Sequence, residues 1–368
     1  MNSPLDRFLA WAREPMSSRS LPRKRPRRRK RINLALQGGG AHGAFTWGVL
    51  DQLLADTRIE IDGLSGTSAG AVNAVMLADG LARGGAAEAR QRLADFWRAA
   101  SLGGDLPELQ RAVVERLFSF VPRDGGPMPW FGALSRFWSP YDLNPLNINP
   151  LEQLIERFVD FDAIRASKRE LFIAATNVQT GDLRIFRRDQ INAEAVMASA
   201  CLPLLFRAVE IDGVPYWDGG YSGNPAVCPF LRSTATEDVL IVQLNPQERP
   251  KLPVSAREIA NRVQEITFNA SLLGELRIIE EVTRLIDEGR LPRGTRSGQY
   301  RRLRLHRVVL NDMGDFDARS NLSRDYEFFE MLHKLGQGAA QRFLDAHFDD
   351  IGQRGTIGLE QALEAEVA

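Results

Sequence analysis

Three short stretches hold residue types that could do chemistry together. Gly66-Thr67-Ser68-Ala69-Gly70 is a G-x-S-x-G pattern lying between a strand-like and a helix-like run. In that context the glycines allow a tight turn, and the serine hydroxyl stands exposed at its apex. The following helix start adds free N–H groups and a favourable dipole for developing negative charge. Ser68 is therefore the candidate nucleophile. The second stretch, LALQGGGAHGAF from Leu34 to Phe45, runs from an apolar strand into three glycines and a helix. Gly38, Gly40 and Gly43 fit the phosphate-cradling G-x-G-x-x-G spacing, which also wants an acidic residue at the end of a second strand about 20 positions on. Glu60-Ile61-Asp62 leads into a strand instead, so a nucleotide reading lacks support. The third stretch is Tyr216-Trp217-Asp218-Gly219-Gly220. An aspartate followed by two glycines sits where backbone approaches closely, and alone it reads as a turn residue.

A serine nucleophile needs a base. The chain has four histidines, His42, His306, His333 and His347. His42 sits beside the glycines, and His333 and His347 fall in a helical run. His306, on a late strand, is the one position where the histidine of a conventional triad fits. None of the four has a signature around it.

These residues must be held by strands and the turns that end them. INLALQ reads as a buried strand and GAFTWGVLDQLLADT as a helix with Phe45, Val49, Leu50, Leu53 and Leu54 on one face. IDGLSGTSAGAVNAVMLADGLARGG gives strand, sharp turn and an Ala-rich helix. LFIAATNV is a strand followed by a turn into LRIF, and AVEIDGVPYWDGG is a hairpin with Asp212-Gly213 at its tip. DVLIVQLNP and RLRLHRVVL are later strands in a mainly helical C-terminal part. Strands alternating with helices predict an α/β fold with a largely parallel sheet.

The 368 residues carry 47 basic and 47 acidic side chains, unevenly placed. Residues 1–31 hold eleven basic and two acidic residues, which leaves the remainder net −9. Eight of the basic residues fall in 23–31 and predict a solvated arm. Its readings are a solubilising tail, a nucleic-acid contact or an anchor to anionic lipid. Two cysteines, Cys201 and Cys228, make neither a disulfide framework nor a metal site and fit a reducing compartment. No apolar run reaches transmembrane length, and no secretory signal is expected. A Pro/Gly-rich segment with Met128, Trp130, Phe131, Phe137 and Trp138 packs its aromatics inward or forms an interfacial edge.

Taken in order, the glycine triplet, G-T-S-A-G and D-G-G resemble the patatin-like phospholipase family. The resemblance runs from about Ile32 to about Pro229 and includes A-T-N at 175–177 and A-S-A-C-L-P at 198–203. It implies a three-layer α/β/α sandwich. It also implies a catalytic Ser-Asp dyad in which Asp218 acts directly on Ser68 as general base, so that no histidine is needed. Gly38, Gly39 and Gly40 would then present backbone N–H groups as an oxyanion hole, with a methyl on Gly39 standing where the oxyanion forms. One departure stands out: Lys or Arg is usual two residues after the triplet, and this chain has His42, mostly neutral at pH 7. That leaves ester hydrolysis intact and the headgroup open among phospholipid, lysophospholipid, neutral acylglycerol and other fatty esters.

The expected function is a serine lipid acyl hydrolase working through an acyl-enzyme. The alternatives are an esterase on non-phospholipid fatty esters, a nucleotide-dependent protein using the Gly38–Gly43 loop, and a non-catalytic membrane-binding module. No cofactor, metal or nucleic acid is expected. An anionic membrane surface is the partner expected for 23–31, on a cytoplasmic protein. The expected organisation is an arm at 1–31, a catalytic core at 32–250 with a helical and aromatic cap insertion at about 100–150, and a mainly helical extension at 251–368.

Overall fold

The structure, a computed structural model, describes residues 29–101, 139–143, 147, 149–203, 205–294, 296, 298–310 and 325–357. The basic run up to residue 28 and the aromatic segment from Met128 to Trp138 lie outside the described residues.

The strand-like runs become β1 (Lys30–Leu36), β2 (Ile59–Thr67), β3 (Glu170–Asn177), β4 (Leu183–Arg187), β5 (Val209–Ile211), β6 (Val214–Asp218), β7 (Asp238–Gln243) and β8 (Arg304–Val309). They form one sheet in the order β5-β6-β3-β2-β1-β7-β8, with β4 also paired to β3. The pairs β1–β2, β1–β7, β2–β3 and β7–β8 are parallel. Antiparallel pairing is confined to the end that holds β4, β5 and β6. The β5–β6 turn is Asp212-Gly213, both at positive φ (52° and 76°), the turn whose twist matches two paired strands.

The central strands are apolar on both faces, as a parallel sheet covered on both sides requires. Ile32, Leu34 and Leu36 of β1 join Leu240 and Val242 of β7 in one core cluster. That face is covered by α1 (Gly43–Ala55), α2 (Ala69–Arg83), α3 (Gly85–Ala100) and α8 (Tyr326–His347), through Phe45, Met76, Leu93 and Leu332 among others. Ala35, Phe172, Val239 and Ile241 point the other way and pack on Leu272, Leu276 and Ile279 of α7 (Ala256–Asp287). The result is the three-layer α/β/α arrangement, with short helices α4 (Pro150–Phe158), α5 (Phe161–Ala166) and α6 (Ala193–Ser199) near β3. Residues beyond 251 contribute β8 to the sheet and α8 to the first layer, as well as α7.

Two details refine the boundaries read from sequence. The first strand begins at Lys30, two residues before Ile32. Lys30 Nζ donates to the carbonyls of Phe348 (2.7 Å), Asp349 (3.0 Å) and Ile351 (2.8 Å) just past α8, and Arg31 pairs with Asp62. Both belong to the fold and not to an arm: the orphan carbonyls at a helix end attract the Lys30 cation, and Arg31 is held by its ion pair with Asp62. α8 also crosses α1 at backbone contact. A Cβ on Gly48 would lie 1.9 Å from the His333 carbonyl oxygen, and one on Gly336 would lie 2.1 Å from that of Phe45. α8 therefore clamps the helix that carries the glycine loop.

Candidate active site

β3 is the ruler that brings Ser68 and Asp218 together. Its residues 170–174 pair with β2, ending at Thr67 opposite Ala174. On its other edge it pairs with β4. β6 takes up the first edge where β2 leaves it, with Asp218 opposite Ala175. The chain thus turns away at Ser68 where β6 delivers Asp218, one register step further along β3. Gly219 makes the junction possible: a Cβ there would lie 2.2 Å from the Ala174 carbonyl oxygen and 3.0 Å from Thr67 Cγ2.

Ser68 has φ 54° and ψ −124°, an unusual backbone for a residue with a side chain. Such a conformation costs on the order of 1–3 kcal/mol and persists only where the surroundings enforce it. Here Ser68 N–H donates to Ser199 Oγ at 2.9 Å, and the next turn of helix closes with Val72 N–H on the Ser68 carbonyl at 3.1 Å. Gly66 and Gly70 admit the sharp turn: their Cβ positions would lie 2.5 Å from the Gly70 carbonyl oxygen and 2.1 Å from that of Leu36. Thr67 Oγ1 donates to the Gly223 carbonyl at 2.6 Å and ties the turn to the loop after Asp218.

Asp218 is fully buried. Its backbone N–H donates to the Cys201 carbonyl at 2.8 Å, and its carbonyl accepts from Thr176 Oγ1 at 2.8 Å. The carboxyl Oδ1 accepts from Gly220 N–H at 2.7 Å. Oδ2 is buried with no hydrogen bond of normal geometry. Burial pushes the Asp218 pKa up to about 6, and interaction with the Ser68 side chain, then with the Gly220 amide, pulls it back. A carboxyl that interacts with a serine side chain and has a pKa near neutrality can exchange a proton at physiological pH.

The three glycines play different parts. Gly38 lies against the nucleophile: a Cβ on it would be 2.8 Å from Ser68 Cβ and 2.9 Å from the Thr67 carbonyl oxygen. Its N–H is engaged, donating to Asn224 Oδ1 at 2.6 Å. A Cβ on Gly39 would instead meet the Leu244 side chain at 3.0 Å. From sequence the methyl of a Gly39 variant is expected at the oxyanion position; in the fold it is Gly38 whose side-chain direction faces Ser68, and that of Gly39 faces Leu244. Gly40, at φ 55°, turns the chain into the single 3-10 turn Gly40–His42. The amides of Gly39 and Gly40 meet no protein acceptor among the described residues. Gly43 is explained by packing, since its Cβ would stand 2.8 Å from Ala69 Cβ, the first residue of the next helix. The G-x-G-x-x-G spacing thus follows from the contact of two helix starts.

The histidines fall elsewhere or lack basicity. His306 is fully buried on β8, three strands from β2, with Nε2 3.1 Å from Asp238 Oδ1 and Nδ1 3.2 Å from Thr356 Oγ1. The triad position considered for it is excluded by that distance across the sheet. His333 stacks on Trp47 between α1 and α8, with ring centroids 3.9 Å apart, and His347 pairs with Asp350. His42 is buried beside the glycine loop, and burial pushes its pKa down to about 4. A neutral ring thus occupies the place where the family resemblance leads one to expect a cation. Cys201 is buried with its thiol pKa pushed up to about 12, so it is no competing nucleophile.

Sequence reasoning missed Asn224, Ser199 and the Gln37 amide. Gln37 Nε2 donates to Asn269 Oδ1 (2.9 Å) and its Oε1 accepts from Leu244 and Asn245 N–H (2.7 and 2.8 Å), fixing the strand end that precedes the glycines. Ser199 stood inside the A-S-A-C-L-P stretch, but nothing local marked its partner 131 positions away.

The three-layer sandwich thus brings Ser68 and Asp218 to neighbouring register positions along β3, with the glycine loop beside them. Residues 34–231, more than half the chain, match the family described as Patatin-like phospholipase, and the chain belongs to that family of hydrolases. No curated protein matches the chain in sequence. Among solved structures, VipD from Legionella pneumophila is similar at 15% identity over 86% of this chain and 67% of that one, with a TM-score of 0.40. ExoU in its complex with SpcU, from the type III secretion system of Pseudomonas aeruginosa, is similar at 17% identity over 87% of this chain, with a TM-score of 0.38. This chain spans about half (52%) of that ExoU chain.

Proposed function

We propose that this chain hydrolyses carboxylic esters of lipids with Ser68 as nucleophile and Asp218 as its general base. The observation that carries the reading is the register of β3, with Thr67 opposite Ala174 and Asp218 opposite Ala175. Asp218 takes the hydroxyl proton as Ser68 Oγ attacks the ester carbonyl carbon. The carbonyl oxygen becomes an oxyanion and is received by free amides of the glycine loop. Collapse of the tetrahedral species breaks the ester C–O bond, the proton on Asp218 passes to the leaving alkoxide, and an acyl-Ser68 ester remains. Asp218 then deprotonates a water that attacks this ester, releasing the fatty acid and restoring Ser68. His42 is a weaker base than Asp218, with a pKa of about 4 against about 6, so the aspartate is the better proton acceptor.

The neutral ring at His42 favours esters whose recognition needs no cation at that point. Lysophospholipids, acylglycerols and other fatty esters fit as well as diacyl phospholipids. No helix among the described residues is long and apolar enough to cross a membrane. The basic residues of 23–29 are the anionic-lipid contact in this reading, with Lys30 and Arg31 committed to the fold. Hydrolysis measured across a panel of phospholipids, lysophospholipids, acylglycerols and p-nitrophenyl esters, with Ser68→Ala as control, tests the reading. Release of fatty acid by the wild type and none by the variant is expected. Liposome binding with no ester cleavage by either protein would favour the binding-module alternative.

A further inference from the structure

The amides of the nucleophile turn and of the glycine loop are not equally available. Ser68 N–H is held by Ser199 Oγ at 2.9 Å, and Gly38 N–H by Asn224 Oδ1 at 2.6 Å. Both acceptors are fully buried. The Gly38 carbonyl is held too, by Asn245 Nδ2 at 3.2 Å, so both polar groups of Gly38 are fixed by side chains. Asn224 is itself anchored: its N–H donates to Ser271 Oγ on α7 at 3.1 Å, and its carbonyl accepts from Gln37 Nε2 at 3.3 Å. Its Nδ2 is buried with no partner. A buried carboxamide that leaves its amine unsatisfied, while its oxygen grips one loop amide, is placed there for the acceptor. A run of three glycines has wide conformational freedom, yet an oxyanion hole works only if its donors are oriented before charge develops. Something must pin the run, and the Gly38 contacts do so at its first residue.

We infer that Asn224 is a positioning residue of the oxyanion pocket: it withholds the Gly38 amide and orients the loop so that Gly39 and Gly40, and not Gly38, donate to the oxyanion. Ser199 does the same for the amide of Ser68. The inference rests on the Ser68–Asp218 reading above.

The test uses the full-length enzyme with 15N-labelled glycine and a fluorophosphonate, whose phosphoryl oxygen occupies the oxyanion position once Ser68 is modified. The Gly39 and Gly40 amide protons are expected to move downfield on labelling while that of Gly38 stays in place. Movement of Gly38 as large as that of its neighbours overturns the inference and leaves the Ser68–Asp218 reading standing. Absence of labelling at Ser68 overturns both. Asn224→Ala supplies the kinetic arm, with kcat referred to the fraction of sites that the probe titrates. A loss of about 10- to 100-fold in kcat per titrated site is expected, with KM little changed and much of the loss recovered in Asn224→Asp, which keeps the acceptor oxygen. A purely structural role would lower the titre and leave kcat per site at the wild-type value, and that result also overturns the inference. If Asn224→Ala does not fold, the glycine resonances of the wild type still decide.

Discussion

The backbone of Gly38 touches the nucleophile: a methyl placed on it would stand 2.8 Å from Ser68 Cβ, inside the closest approach of two carbon atoms. Gly38→Ala must therefore displace either the loop or the serine. A fall in kcat of at least about 100-fold is expected, comparable to the loss of an oxyanion donor. Gly39→Ala directs its methyl at the end of the Leu244 side chain, 3.0 Å away, which can give. It is expected to retain at least tenfold more activity than Gly38→Ala, roughly one RT ln 10 less damage to the transition state. Parallel kinetics of the two variants on a soluble ester check the ordering.

The raised pKa of Asp218 has two consequences of opposite benefit. As a base it must be ionised, so kcat/KM for a soluble ester is expected to rise with pH through about 6 and level off above it. For stability the direction reverses. Between the ordinary carboxylate value of 3.8 and about 6, the folded chain keeps a proton that the unfolded chain has lost. Stability therefore falls as pH rises across that window. Asp218→Asn is expected to be inactive yet more stable than the wild type by about 2–3 kcal/mol at pH 7.5, with the difference gone near pH 4. Urea unfolding of both proteins at the two pH values measures it.

The three motifs were legible because each is local. A strand end, a turn and a helix start lie within a dozen residues, and glycine marks where the chain bends or closes up. The α/β class followed from the same alternation, and the hairpin tip from Asp212-Gly213. What pins the site was not legible. Ser199 reaches Ser68 across 131 positions and Asn224 reaches Gly38 across 186, and a buried serine or asparagine looks in sequence like any other. Gly48 and Gly336 were equally silent, since a helical glycine that admits a crossing helix has no neighbouring signal. The first strand was placed two residues late because Lys30 and Arg31 continue a basic run. Their charges are answered by Asp62 and by the carbonyls after α8.

The α1–α8 crossing should be intolerant of added volume. Gly48→Ala would drive a methyl to within 1.9 Å of the His333 carbonyl oxygen, which is backbone and cannot rotate aside. A destabilisation of about 2–3 kcal/mol is expected, in the range of overpacked cores. Ester hydrolysis per folded molecule should fall as well, because α1 starts directly after the glycine loop and a displacement of the helix carries to Gly40–His42. Denaturant midpoints and active-site titration of the variant separate the two effects.

The basic run is tested by a cut that spares the first strand, which begins at Lys30. Removal of residues 1–28 takes away eight of the eleven basic residues of 1–31 and leaves Lys30 and Arg31 in place. Each basic residue near an anionic membrane is worth about 1 kcal/mol, and the attraction is screened over about 8 Å at physiological salt. Truncation is expected to abolish sedimentation with anionic vesicles at low salt while hydrolysis of a soluble ester is unchanged. The full-length chain should release from the same vesicles as salt rises. Equal binding by both forms would move the membrane contact to another part of the chain.

The pairing of Ser68 with Asp218 is tested most directly by the turnover of Asp218→Asn on a short p-nitrophenyl ester, measured beside Ser68→Ala and His306→Ala and referred to folded protein by circular dichroism. Asp218→Asn is expected to lose about 1,000-fold or more in kcat, falling with Ser68→Ala towards background, while His306→Ala keeps most of its activity per folded molecule. Near-wild-type turnover by Asp218→Asn, or a His306→Ala variant as inactive as Ser68→Ala, would contradict the dyad.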